Sequence, residues 1–169
     1  IQFTLRLTKP VQDGEKIIIE ILDEVSGLPH NAWGYELEKI SDLEYSLKKS
    51  FPAGSVVKYR YARLSDSKIS EIQSNGEPVR YRLCHVTNSI SILDHLWGWY
   101  GEDPAKPAGR LSGTILDRET HGPVPDILVS AGGQLTFTDA NGHFSLTGLT
   151  SGVNNMVLYA LDGSYQTFQ

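Results

Sequence analysis

The chain has 169 residues and a formal net charge of −5, with a pI near 5.5, a balance that gives no electrostatic footprint for nucleic acid or an anionic membrane surface as partner. Apolar residues make up 40% of it and charged residues 21%, which supports real cores and argues against wholesale disorder. No apolar run approaches the ~18 residues of a membrane span, and a single cysteine, Cys84, leaves the fold to its cores without an internal disulfide. The length suits two domains of ordinary size. The chain opens at Ile1 without Met or a signal sequence and stops at Gln169 in or just after an apparent strand, so it is expected to be a fragment or processed piece of a longer protein.

Phe3, Leu5 and Leu7 alternate with Thr4 and Arg6, the pattern of a strand with one buried face. Lys9-Pro10 and Asp13-Gly14 break that run, and Ile17, Ile18, Ile19 and Ile21 then make a β-branched stretch that predicts a central strand covered on both faces. After a loop over 23–33, Tyr45, Leu47 and Phe51 alternate towards Pro52-Ala53-Gly54. Val57, Tyr59 and Tyr61 follow on a face opposite Val56, Lys58 and Arg60. The last strand of this region carries Val79, Tyr81, Leu83 and His85 on one face and Arg80, Arg82 and Cys84 on the other. Strands at this spacing, with no long amphipathic helix, predict a β-sandwich over residues 1–88.

The run Phe-Pro-Ala-Gly-Ser-Val-Val-Lys-Tyr-Arg-Tyr-Ala-Arg at 51–63, together with the strand spacing of 3–21, resembles the starch-binding family of carbohydrate-binding modules. In that family a Pro-Ala-Gly turn leads into a lysine- and tyrosine-rich strand, and the resemblance implies a non-catalytic sandwich that binds polysaccharide. The next strand of the family carries a Trp-Glu pair whose indole stacks on a glucose ring. Here the corresponding place reads Lys68-Ile69-Ser70-Glu71, so the resemblance carries over Glu71 alone, and the Asn-Arg that follows in the family is matched only loosely around Arg80 and Arg82.

Residues 89–108 read as a linker. Ile90, Ile92 or Leu93, and Leu96 with Trp97 have a weak helical spacing that leaves room for a short helix, and Trp97, Trp99 and Tyr100 gather three large aromatics. Glu102-Asp103-Pro104-Ala105-Lys106-Pro107 follows as a stiff polar segment.

The C-terminal region, 109–169, reads as a second small all-β unit. Runs at 111–116, 127–131, 135–138 and 143–146 are punctuated by a Gly- and Pro-rich cluster at 117–125, by Gly132-Gly133, and by Asp139-Ala140-Asn141-Gly142. Gly113 with Asp117, Gly122 with Val124, Val129 with Ala131, Thr138-Asp139-Ala140-Asn141-Gly142-His143-Phe144, and Leu149 with Gly152 together resemble the carboxypeptidase regulatory-like family. That resemblance implies a seven-stranded, prealbumin-like Greek-key sandwich used as a spacer or accessory module, with any strands beyond 169 cut off. The expected architecture is therefore all-β, with two tandem β-sandwich domains joined by a short aromatic, Pro-containing linker.

Sugars are held by flat aromatic faces with polar side chains at the hydroxyls. Trp33 and Tyr35, beside Asn31 in a polar loop, form one candidate platform, against the alternative that Trp33 caps the end of the sandwich. Tyr59 and Tyr61 share a face with Val57 and read as core, which would turn Lys58, Arg60 and Arg82 to solvent. Trp97 and Trp99 are either a second platform or a wedge between the sandwiches. The candidate ligand-binding residues are thus Asn31, Trp33, Tyr35, Glu71, Trp97 and Trp99.

Asp139 opens like a helix-loop-helix calcium loop, but the positions that need Gly and Glu hold Phe144 and Thr150. His30, His85, His95, His121 and His143 lack zinc spacing. The chain has no nucleophile elbow, His-Glu-x-x-His or phosphate loop, so no catalytic residue, metal or cofactor is expected. The leading expectation is a carbohydrate-binding-like segment of a larger extracellular or cell-surface protein, bacterial in origin, partnered by a glycan and by neighbouring domains of the same chain. The alternatives are a structural spacer or protein-interaction module, and the accessory part of a secreted hydrolase whose catalytic domain lies elsewhere.

Overall fold

The computed structural model describes residues 1–31, 33–104 and 109–169, and among them it contains strands and no helix. In chain order the first set is β1 (Gln2–Arg6), β2 (Lys16–Leu22), β3 (Tyr35–Glu36), β4 (Glu38–Lys39), β5 (Glu44–Lys48), β6 (Val56–Leu64), β7 (Lys68–Ser70), β8 (Arg82–His85) and β9 (Ser91–His95). A second set follows: β10 (Gly109–Thr114), β11 (Ile127–Ala131), β12 (Gln134–Phe137), β13 (His143–Leu149) and β14 (Met156–Ala160). The all-β expectation holds.

The first set makes two facing sheets. One runs β4-β5-β1-β9, and the other runs β3-β2-β6, with β7 and β8 sharing the far edge of β6. Alternation places Phe3, Leu5, Tyr45 and Ile92 of the first sheet against Ile17, Ile19, Ile21, Tyr59 and Tyr61 of the second, in one continuous core. Phe3, Tyr59 and Tyr61 are fully buried and meet edge to face, with ring centroids 5.0 and 5.8 Å apart. β2 is central, between β3 and β6, as the isoleucine run predicts. Its second face is Ile18, Glu20 and Leu22, all buried.

The short helix allowed within 89–108 is absent among the described residues. Ser91–His95 is strand β9, parallel to β1, and Ile92, Asp94 and Leu96 point into the sandwich. The period is two, and it was obscured because one of its inward positions is an aspartate. Residues 105–108, which include the second half of the expected stiff segment 102–107, lie outside the described residues.

The second set also forms facing sheets, β10-β13 and β12-β11-β14, with Val129, Ala131, Leu146 and Leu149 between them. The turns form as the sequence predicts. Gly132 and Gly133 join β11 to β12 with φ of 55° and 81°, and Asp139 accepts backbone N–H bonds from Asn141 and His143 at the β12–β13 hairpin. Five strands are present among the described residues, where the resemblance implies seven, and β14 was not foreseen.

No backbone pairing joins the two sets among the described residues, but side chains do. Leu83 of β8 packs on Leu128 and Val157, flanked by Val56, Tyr81, Leu135 and Tyr159. Trp97 donates its indole N–H to Gly148 O at 2.8 Å, and Asn155 donates to Leu83 O at 2.9 Å.

Covering β8 on both faces overturns one expectation: Arg82 is not at the surface with Lys58 and Arg60 but is 3% exposed. Its face, shared with Cys84, turns into the first sandwich because Tyr81 and Leu83 are needed against the second set. There Arg82 bonds Glu71 Oε2 at 2.8 Å, Asp94 Oδ1 at 3.0 Å and His95 O at 3.3 Å. Tyr59 and Tyr61 both donate their hydroxyls to Asp94 Oδ2 at 2.9 Å, and Tyr61 N–H donates to Glu71 Oε1. Burial, and then the Asp94 charge, push both phenols well above their usual range, so they remain donors. Burial acts to lower the Arg82 pKa, but the two carboxylates raise it well above its ordinary value. Burial likewise pushes the Cys84 thiol up to about 12, which makes it inert.

Replacing Arg82 by Leu strands two buried carboxylates, and the expected cost is about 3–5 kcal/mol of folding free energy, read from the urea midpoint. A pH effect is expected at Glu20, which accepts from Arg60 at 2.6 Å and from Lys68. Burial alone would raise its carboxyl, yet these two cations hold it below the ordinary range. A folded-state value below the unfolded one adds stability above the unfolded pKa, and that stability is lost as pH falls through the folded value. The stability gap between the native chain and Glu20→Gln is therefore expected to narrow between about pH 5 and pH 3, measured as thermal midpoints across that range.

Candidate functional site

At one end of the first sandwich the chain leaves β2, crosses a loop over 23–34 and returns as β3. Asp23 organises the start of the loop by accepting from Val25 N–H, Ser26 N–H and Ser26 Oγ. Asn31 organises its end. Its carbonyl side-chain oxygen accepts from Trp33 N–H at 3.1 Å and its amide donates to Gly34 O at 2.7 Å, a local closure that Asn side chains favour. Gly34 adopts φ of 68°, and a Cβ there would sit 2.8 Å from Ile18 Cδ1 and 3.1 Å from Ile19 O. Only glycine lets the loop lie this close on β2.

The product is an indole held out in solvent: Trp33 is 79% exposed. It does not cap the sandwich. Val25 and Leu28 of the same loop are also exposed. His30 and Tyr35, on either side of Trp33 in sequence, line a groove of about 370 Å³ together with Asp23, Lys49, Phe51 and Lys58. Tyr35 is half-buried, and Lys49 Nζ stands 3.7 Å from its ring centroid and 6.0 Å from that of Phe51. Phe51 is fixed from behind by an edge contact to Phe3 at 6.3 Å.

The six residues singled out in the sequence separate into two groups. Asn31, Trp33 and Tyr35 stay together at this loop. Glu71, Trp97 and Trp99 are buried, at 0%, 3% and 3% exposure, and face no solvent. Glu71 is held by Arg82 and its backbone bridges to Trp99. Trp97 reaches Gly148 across the two strand sets, and Trp99 closes the edge of the first core. Tyr100, last of that aromatic cluster, is exposed.

Lys49 and Phe51 escaped the sequence reading as site residues. Phe51 was legible only as one more alternating apolar position, and the pairing of Lys49 with Tyr35 joins the end of β5 to β3. Among the described residues no three His, Cys, Asp or Glu side chains are placed to share a metal ion, and no helix is long and apolar enough to cross a membrane.

No protein-family model, curated protein or solved structure matches the chain.

Gly34→Ala forces a side chain into left-handed backbone against β2. The expected loss is about 1–3 kcal/mol of stability, measured by urea denaturation, with faster proteolytic nicking of the 23–34 loop at a fixed protease concentration.

Proposed function

We propose that the chain is a non-catalytic, glycan-binding segment of a larger extracellular or cell-surface protein, with its binding surface at Trp33 and the Tyr35 groove. The observation that carries this reading is the exposure of Trp33 on a braced loop. An indole so fully in water forgoes the burial that usually stabilises it, and aromatic faces left out beside polar groups suit the C–H surfaces and hydroxyls of sugars. Asn31 serves as the brace of that loop. Trp97 and Trp99, being buried, belong to the frame. The polysaccharide-binding and accessory-module character implied by the two family resemblances points the same way.

A spacer or interaction role is the second reading, favoured by the contact of Leu83, Leu128 and Val157 and by the Trp97 bond to Gly148. These would hold two sandwiches at a fixed angle. The readings differ at Trp33, which a pure spacer does not use.

With Trp97 and Trp99 buried, a red-shifted component of tryptophan emission is expected from Trp33. Titration with soluble glycans is expected to change that component saturably, and Trp33→Ala is expected to abolish the change while shifting the thermal midpoint by less than about 2 °C, as for a surface substitution. Absence of any response across neutral and acidic glycans would remove the glycan reading and leave the spacer.

A further inference from the structure

The face of Tyr35, the ring that a neutral sugar would cover inside the groove, is already occupied by the Lys49 ammonium at 3.7 Å. Phe51 borders the same cation. Lys49 is half-buried, and no carboxylate pairs with it among the described residues, whereas most other cations of this region have one: Lys16 with Glu36, Lys39 with Asp42, Arg60 and Lys68 with Glu20. Lys58, which also lines the groove, donates to the backbone oxygen of Glu24 at 2.7 Å and to no carboxylate. The rim carboxylates keep their charge but take their hydrogen bonds from other groups than Lys49. Asp23 is tied to Val25 and Ser26, and Glu24 accepts from Tyr159 at 3.1 Å.

We infer that the groove selects an anionic glycan, whose ring carboxylate or sulfate pairs with Lys49 between Tyr35 and Phe51 while Trp33 covers an adjoining sugar face. This rests on the glycan reading above and narrows its ligand class. The physical argument is complementarity. A cation held over a ring with no carboxylate paired to it, on a chain of net charge −5 and in a groove whose rim also carries Asp23 and Glu24, marks one place where an anion gains rather than loses Coulomb energy. Neutral glucans gain nothing from that charge and must displace it to reach the Tyr35 face. The missing stacking tryptophan of the starch-binding pattern is consistent with a different ligand class.

The test is calorimetric titration of the whole chain with three oligosaccharides: a neutral glucan, an oligogalacturonate and a heparin-derived fragment. The last two separate carboxylate from sulfate. Binding of at least one acidic glycan is expected, weakened about tenfold by Lys49→Gln, as for loss of one charge-assisted hydrogen bond. It should be retained within about threefold by Lys49→Arg and reduced by about 0.5 M salt. Lys58→Gln, farther from the rings, should weaken it less and controls for misfolding at Lys49. Neutral glucan binding as tight as acidic, unchanged in Lys49→Gln, would overturn this inference and leave the glycan reading standing. Failure of all three glycans would overturn both, as would binding to phosphatidylserine vesicles alone through the exposed Val25, Leu28 and Trp33.

Discussion

The Arg82 guanidinium is the tie on which the first sandwich depends. It is the one cation in a buried site that also holds Glu71, Asp94 and two tyrosine hydroxyls. Those groups come from β8, from the bridge segment at 71, from β9 and from β6. Each strand arrives carrying a polar group that could not be buried alone, and only this arrangement satisfies all of them. A hydrophobic replacement of the whole set could be as stable. The charged set makes register costly to change, since a one-residue slip of β8 or β9 would turn Arg82 or Asp94 away from its partner. It also fixes β9 as a parallel neighbour of β1, which apolar pattern alone would not specify.

The tie has a second consequence at the seam between strand sets. Because Arg82 and Cys84 face inward, Tyr81 and Leu83 face out, where Leu128 and Val157 cover them. β11 is buried along its whole length for the same reason, one face in its own sandwich and one on β8. The two strand sets therefore meet along β8, and Trp97, leaving β9, reaches Gly148 of β13 across the same seam.

Much of this was legible in the residues. The alternations at Phe3, Leu5, Tyr59 and Tyr61, the continuous isoleucines of β2, and the hairpins at Gly132-Gly133 and Asp139 all follow from local chemistry. What was not legible depends on a partner far along the chain. Arg82 reads as surface because arginine is seldom buried without a partner, and its partners lie 11 residues away on the bridge segment after β7 and 12 residues away on β9. β9 reads as a linker with room for a short helix because Asp94 interrupts an apolar face that the arginine makes tolerable. The same holds at the groove. Asn31, Trp33 and Tyr35 could be picked out because they sit together in a polar loop, and the residues that give the groove its charge could not.

The contrast between the two kinds of lysine and arginine in this sandwich bears on what the molecule can do. Arg82, Arg60 and Lys68 are each matched to a carboxylate, and removing any one of them acts on folding. Lys49 is matched to rings. Its attraction to Tyr35 is weaker than an ion pair and costs less to surrender, so the cation can be shared with an incoming anion without loosening the fold. The buried tie below supplies the rigidity that lets it do so: Lys49 follows β5, which is paired on both sides by β4 and β1, and Tyr35 opens the edge strand β3, in sheets that Arg82 ties together through Asp94 and Glu71. Under the proposed glycan reading, a site on such a frame would lose little conformational freedom on occupation, and its selectivity would rest on charge at Lys49 rather than on closure of the loop.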